Sequence, residues 1–290
     1  MKPARFEYHS PTTVDEAVAL LATFGDDAKV LAGGQSLVPM LALRLTRFAH
    51  LIDLNRIPTL QFITQSGEWL SIGAMTRQAA AEHDALVAST APLIAKAIPH
   101  IGHFQIRNRG TMGGSIAHAD PASELPAVAL ALDAEVELLG PDGARRVHAG
   151  EFFLSMWETA ATAEEIVVAV HFPVAIARSG FGFAEMALRL GDFAITGAAC
   201  ALTLGASGAV ERAAIALMGM DATPIRGSDA EMALLGATPD TIDFGEIAAI
   251  AVEATNPTDD VHASARYRAT VGAVMVERAL RSAIEEATRG

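Results

Sequence analysis

Two glycine doublets constrain this chain more than any other feature. Gly33 and Gly34 lie in AGGQS at residues 32–36, and Gly113 and Gly114 lie in TMGGS at 111–115. A glycine weakens a strand or helix interior by roughly 0.5–1 kcal/mol relative to alanine. A doublet therefore marks backbone that does something a side chain would hinder. The plain reading is a tight turn in each place. The sharper reading uses glycine's freedom to adopt positive φ, which lets consecutive N–H groups turn inward and form an anion-binding concavity. A helix beginning after Gly34 would add its free N–H groups and its dipole. Two such loops could grip the two phosphates of a dinucleotide without a lysine. Composition alone leaves both readings open.

More familiar phosphate motifs are missing. GFGFAE at 180–185 begins a GxGxxG pattern but lacks the third glycine, and no GxxxxGK[ST] loop occurs. The formal net charge of −13 argues against nucleic acid as partner, because phosphate backbones need a concentrated basic surface. Cys200 is the single cysteine, so the chain can neither close an internal disulfide nor ligate an iron–sulfur cluster. Its apolar surroundings, AITGAACALTL, make it a small core residue. No grouping of His and carboxylates at ligand spacing suggests a catalytic metal. The longest apolar runs are too short to span a bilayer, and MKPARFEYHSPTT has no signal core, so the expected location is cytoplasmic.

The 290 residues suffice for two domains. SPTTVDEAVALLATFG reads as a helix, AKVLA and HLIDL as strands, and SLVPMLALRL as a helix whose Pro39 falls in the first turn, where proline is tolerated. LQFIT with WLSIGA, and AEVELL with ARRVHA, read as hairpins, and EEIVVAVHF as a further strand. TRQAAAEHDALVA reads as one helix, and RNRGTMGGSIAHADPAS as irregular. The pattern changes near residue 178. Beyond it, GFGFAEMALRLGDFAITGAACALTLGA and VERAAIALMGM read as long strands, followed by three helical stretches.

AGGQSLVPMLALRLTRFAHLIDLNRI and IGHFQIRNRGTMGGSIAHADPASELPAVALALDAEVEL together resemble the FAD-binding medium subunit of the molybdenum hydroxylases. That family includes bacterial carbon monoxide dehydrogenase, quinoline and nicotine dehydrogenases and, as a fused chain, xanthine dehydrogenase. GDFAITGAA at 191–199 and the helical C-terminus extend the likeness over nearly the whole chain. The resemblance implies an α+β fold. A two-part FAD-binding domain of the vanillyl-alcohol oxidase/PCMH type would span 1–178, with subdomains of about 1–58 and 59–178. A smaller domain of antiparallel sheet plus helices would span 179–290.

It also implies FAD as the cofactor of this chain. Ala32, Gly33, Gly34, Gln35, Ser36 and Leu37 would form one pyrophosphate loop; Thr111, Gly113, Gly114, Ser115 and Ala117 would form the other. Glu124 would serve the adenosine half, and Ile101 and Phe193 would flank the isoalloxazine ring. Many relatives carry a lysine before the GDF segment, near Glu185; this chain has none there. Expected partners are a small subunit with [2Fe-2S] clusters and a large subunit with the molybdenum cofactor, as a dimer of heterotrimers. Electrons would pass from the clusters through FAD to an external acceptor, with no residue here acting as acid or base. The QSLVP and AHADPASELP variants most resemble subunits serving N-heteroaromatic hydroxylases. The rivals are a stand-alone dinucleotide-binding module, and an independent flavin oxidase using His103 or His118 as base. Plainer roles compete at single residues. Glu124 could be a first-turn helix charge, Ile101 and Phe193 core, and His118 with Asp120 a polar turn. Arg107 and Arg109 suit loop-fixing bonds to carbonyls or carboxylates better than phosphate contacts.

Overall fold

The computed structural model describes residues 2–290. Its N-terminal part is a three-stranded parallel sheet of β1 (Glu7–His9), β2 (Ala28–Leu31) and β3 (His50–Asp53), in the order β1-β3-β2. Helix α1 (Val14–Phe24) starts in a capping box: the Thr13 side chain accepts from the Glu16 N–H and Glu16 reaches back to the cap. Its Ala17, Val18 and Leu21 pack on Ile52 and Leu54. Helix α2 (Leu37–Leu43) follows the first glycine doublet, with Pro39 in its first turn.

A five-stranded antiparallel sheet follows, formed by β4 (Ile63–Ser66), β5 (Trp69–Gly73), β6 (Glu135–Gly140), β7 (Gly143–His148) and β10 (Ile166–Pro173), in the order β4-β5-β10-β6-β7. Between β5 and β6 run α3 (Gln78–Glu82), α4 (Ala85–Thr90), α5 (Pro92–Ala97), α6 (Phe104–Arg107), α7 (Met112–His118) and α8 (Glu124–Ala131). Where one helix was expected over 76–88 there are two, because Asp84 stops the first and caps the second through the N–H groups of Leu86 and Val87. Helix α9 (Ala149–Phe152) and the small hairpin of β8 (Phe153–Ser155) with β9 (Glu158–Thr159) complete this part.

The C-terminal part is an antiparallel sheet of β11 (Ser179–Met186), β12 (Thr196–Leu204), β13 (Val210–Met218) and β14 (Ile225–Arg226), with α10 (Ser228–Leu234), α11 (Phe244–Glu253) and α12 (Ala265–Arg289). β11 and β12 were expected as one strand; residues 187–195 instead form a loop between them. Every residue of β12 is buried, because both faces of this sheet are covered. Ala198, Cys200 and Leu202 face the core under α12, while Ala199 and Ala201 face the core that contains α8. Cys200 is a core residue, and burial raises its thiol pKa. GFGFAE has a packing reason for its glycines: a Cβ at Gly182 would lie within 1.8 Å of the Ala279 carbonyl oxygen of α12.

Polar clasps tie the two parts together: Arg212 and Arg226 both bond Asp133, and a second clasp centres on Lys96. Lys96 of α5 donates to the Phe181 carbonyl (2.8 Å) and to Glu286 of α12 (2.7 Å), and Glu286 accepts the Phe181 N–H (2.7 Å).

Candidate functional site

The first glycine loop leaves β2 and enters α2. Gly34 has φ +74°, a conformation β-carbons disfavour. Gly33 is required for a different reason: a Cβ there would lie 2.4 Å from the Arg109 carbonyl oxygen and 2.8 Å from Gly110 Cα. The loop thus rests directly on the backbone leading to the second doublet. Among the described residues, none accepts a hydrogen bond from the N–H groups of Gly33, Gly34, Gln35, Ser36 or Leu37. Gly33, Gly34 and Gln35 border a cavity of about 360 Å³, lined also by Leu31, Ala32, Val38, Pro39, Asp53, Asn55 and Arg109. Gln35 stays local, donating to the Gly33 carbonyl at 3.0 Å.

The second doublet differs from the expected open loop. Gly113 and Gly114 sit in the first turn of α7, capped by Thr111. Their amides are already used: Met112 N–H donates to the Thr76 carbonyl (2.9 Å), Gly113 N–H to the Ala74 carbonyl (2.9 Å) and Gly114 N–H to Thr111 Oγ1 (3.1 Å). Close packing accounts for the glycines here. A Cβ on Gly113 would lie 2.4 Å from Ala74 Cβ, and one on Gly114 would lie 2.6 Å from Thr111 Oγ1 and 3.3 Å from Ala32 Cβ. The inward-facing amide concavity is a property of the first doublet; the second lets α7 press against it. Ser115 is half-buried and Ala117 exposed on the same helix.

A polar network absent from the sequence reading locks the two segments together. Asn55 donates to the Ala32 carbonyl (2.9 Å), and its side-chain oxygen accepts from Arg77, which also donates to the Arg109 carbonyl. Asp53 accepts the Asn55 N–H (2.8 Å) and the Tyr8 hydroxyl. Burial, and then repulsion from Arg109, lowers the pKa of Arg77. Arg107 fixes its loop as expected, through Glu82 (2.7 Å) and the carbonyls of Ile101 (3.2 Å) and Gly102 (3.1 Å). The Arg109 side chain departs from expectation, being exposed and lining the cavity.

Ile101 is buried where the 3-10 turn Ile98–His100 ends. The 187–195 loop reaches this segment, since a Cβ on Gly191 (φ +87°) would lie 2.7 Å from His103 Nδ1. Phe193 in that loop is 68% exposed, which rules out the core reading. The structure therefore brings the Ile101 and Phe193 segments together.

Glu124 opens α8 and is buried; desolvation pushes its carboxyl up to about 7, with Asp120 adding to the effect. Glu185 of β11 has a side chain only 4% exposed, 3.8 Å from His100 Nδ1, and its Oε2 has no hydrogen-bond partner. Burial, then the charge of Glu124, pushes Glu185 up to about 8, while burial lowers His100. Neutral forms are favoured on both sides, so the Glu185–His100 contact is not an ion pair. His118 stands 3.9 Å from Asp120, and Asp120 takes the Trp157 indole N–H (3.2 Å) and the Ala122 N–H (2.9 Å). That is a braced polar turn.

Free amides beside a guanidinium, a narrow seat between glycine-bearing segments and an orphaned buried carboxyl oxygen fit a dinucleotide cofactor. Fold and site define a nucleotide-cofactor-binding protein of two α+β parts. The model of the FAD binding domain in molybdopterin dehydrogenase matches residues 4–175, and that of the CO dehydrogenase flavoprotein C-terminal domain matches 181–283. The chain is 43% identical to the 6-hydroxypseudooxynicotine dehydrogenase complex subunit alpha of Paenarthrobacter nicotinovorans, over 99% of this chain and 97% of that protein. It is 40% identical to the carbon monoxide dehydrogenase medium chain of Hydrogenophaga pseudoflava, over 98% of each. The carbon monoxide dehydrogenase structure from that organism superposes with a TM-score of 0.96, covering 99% of each chain. Quinoline 2-oxidoreductase from Pseudomonas putida 86 gives 0.93 at 34% identity, also over 99% of each. The chain belongs to the family of FAD-binding medium subunits of molybdenum hydroxylases. It is the FAD-carrying subunit of an oxidoreductase complex in which a partner chain performs the hydroxylation. No described helix is long and apolar enough to cross a membrane.

Proposed function

We propose that this chain takes electrons from the iron–sulfur clusters of a small subunit and delivers them, through FAD, to an external acceptor. Its partners are that small subunit and a large subunit with the molybdenum cofactor, assembled as a dimer of heterotrimers in the cytoplasm. The observation that carries the reading is the row of N–H groups from Gly33 to Leu37 without an acceptor among the described residues, of which Gly33, Gly34 and Gln35 share one cavity with Arg109. When bound, FAD supplies the redox chemistry; the protein binds, orients and tunes it.

In this reading Ala32, Gly33, Gly34, Gln35, Ser36 and Leu37 donate backbone N–H groups to the pyrophosphate, and Arg109 balances its charge. Thr111 and Ser115 offer hydroxyls, while Gly113, Gly114 and Ala117 keep α7 slim enough for a close approach. Glu124 accepts from ribose hydroxyls, and Ile101 and Phe193 flank the isoalloxazine ring. The unit that holds FAD is residues 1–178, divided near residue 58, and 179–290 is the second domain. No side chain transfers a substrate proton: His118 is engaged in a braced turn. For the complex we favour an N-heteroaromatic substrate. The AHADPASELP variant supports this, as do relatives named caffeine dehydrogenase and nicotine 6-hydroxylase.

Purification of a tagged chain from its native host tests the reading. A yellow complex containing a cluster-bearing small protein and a molybdenum-bearing large protein is expected. A chain recovered alone, whose flavin is reduced directly by substrate, overturns it in favour of an independent oxidase.

A further inference from the structure

The parallel sheet carries a side-chain cluster that the cofactor site does not use. β1 pairs with β3 so that Glu7 stands opposite His50, and the two-residue period of a strand puts His9 on the same face as Glu7. His9 Nε2 and His50 Nδ1 are 3.1 Å apart, and His50 Nδ1 is 3.6 Å from Glu7 Oε2. All three ligand-capable atoms lie within 4.8 Å of one another. A tetrahedral zinc ion with bonds of about 2.0–2.2 Å sets its ligand atoms about 3.3–3.6 Å apart. Movements of a few tenths of an ångström in the two rings, and a swing of Glu7, would meet that requirement.

The surroundings favour the same ion class. Phe24 stacks on the His50 ring (3.7 Å between centroids, 9° between planes) and stands 5.1 Å from the His9 ring, so it limits how both imidazoles turn. Two imidazoles and one carboxylate suit zinc and its late first-row neighbours better than magnesium or calcium, which prefer oxygen. The cluster joins strands separated in sequence by α1, β2 and α2, and β1 is only three residues long.

We propose that Glu7, His9 and His50 form a zinc-class divalent cation site that clasps the N-terminal strand to the sheet. In the metal-free protein the two imidazoles share an N–H···N hydrogen bond; on binding, the donor ring carries its proton on its other nitrogen instead, so that each ring gives the ion one lone pair. Water completes the coordination, as is usual where three protein groups bind zinc.

The test uses the full-length, FAD-loaded chain, freed of metal by dialysis and titrated with zinc chloride in a calorimeter. One equivalent should bind, and zinc should raise the melting temperature. Glu7→Gln should weaken binding by at least about tenfold, the scale on which even outer-shell partners act. Its side chain is 75% exposed, so the metal-free melting curve should not move. His50→Gln should abolish uptake, with flavin content unchanged. No uptake by the wild type overturns the proposal, and so does equal uptake by both variants, which would place the ion elsewhere.

Discussion

At the scale of single residues, Gly33 and Gly34 perform different tasks although they are neighbours. Gly34 turns the chain through a left-handed conformation, and Gly33 lets two backbones touch. Gly33→Ala would force its methyl group against the Arg109 carbonyl, an overpacking cost of about 1–3 kcal/mol. At about 1.4 kcal/mol per tenfold, flavin affinity should fall roughly ten- to a hundredfold if the strain falls on the bound state. Gly34→Val should lose flavin altogether. Flavin-to-protein ratios and melting curves check both; full flavin content in both variants would mean that the loop is only a turn. The strand–glycine–helix placement of the first doublet was legible in sequence, although composition alone left a tight turn and an anion-binding loop both open. Asn55 and Arg77 were not. Each acts on a partner remote in sequence, and the Arg77 bonds span 22 and 32 residues. Nothing in LNRI or MTRQ announces that.

At the scale of elements, one departure from expectation comes from equating apolar content with burial. Leu188, Leu190 and Phe193 made 187–195 look like strand, yet they are 64%, 77% and 68% exposed in a loop. Their place follows from what the loop meets, the His103 segment, and not from local periodicity. Helix α7 was missed for the opposite reason. Met112, Gly113 and Ile116 are buried, but glycines next to a cap blur the 3.6-residue pattern. The strands of the five-stranded sheet, with ordinary alternation and turn residues, were read correctly. Thr111 holds the start of α7 by accepting the Gly114 N–H, so Thr111→Ala should cost about 0.5–2 kcal/mol of stability. Thr111→Ser should recover most of it. Denaturant midpoints of the flavin-free variants measure this directly; equal midpoints for wild type and Thr111→Ala would show that the cap contributes nothing.

For the whole molecule, stability should be confined to a window around neutral pH. Glu124 (about 7) and Glu185 (about 8) are raised in the folded state. Their favourable contribution is complete below the ordinary carboxylate value near 4.3 and is lost as pH rises through 7–8. His100, His118 and His171 are lowered by burial, so theirs is complete above about 6.5 and lost as pH falls through their depressed values. The flavin-free chain should therefore melt several degrees lower at pH 9 than at pH 7, at roughly 2–4 °C per kcal/mol. Glu185→Gln should remove much of that loss. An unchanged alkaline slope in this variant would assign the effect to other groups. The contact of Gly33 with Arg109 also has a kinetic meaning. It joins the parallel sheet to a segment that lies beyond β4, β5 and four helices, and such long-range closures come late, after the entropy of the intervening chain is spent. In the proposed reading, a cofactor seated across that contact does not template the early steps of folding. It acts on the escape from the native state instead, and sets how long a finished subunit lasts rather than how fast one is made.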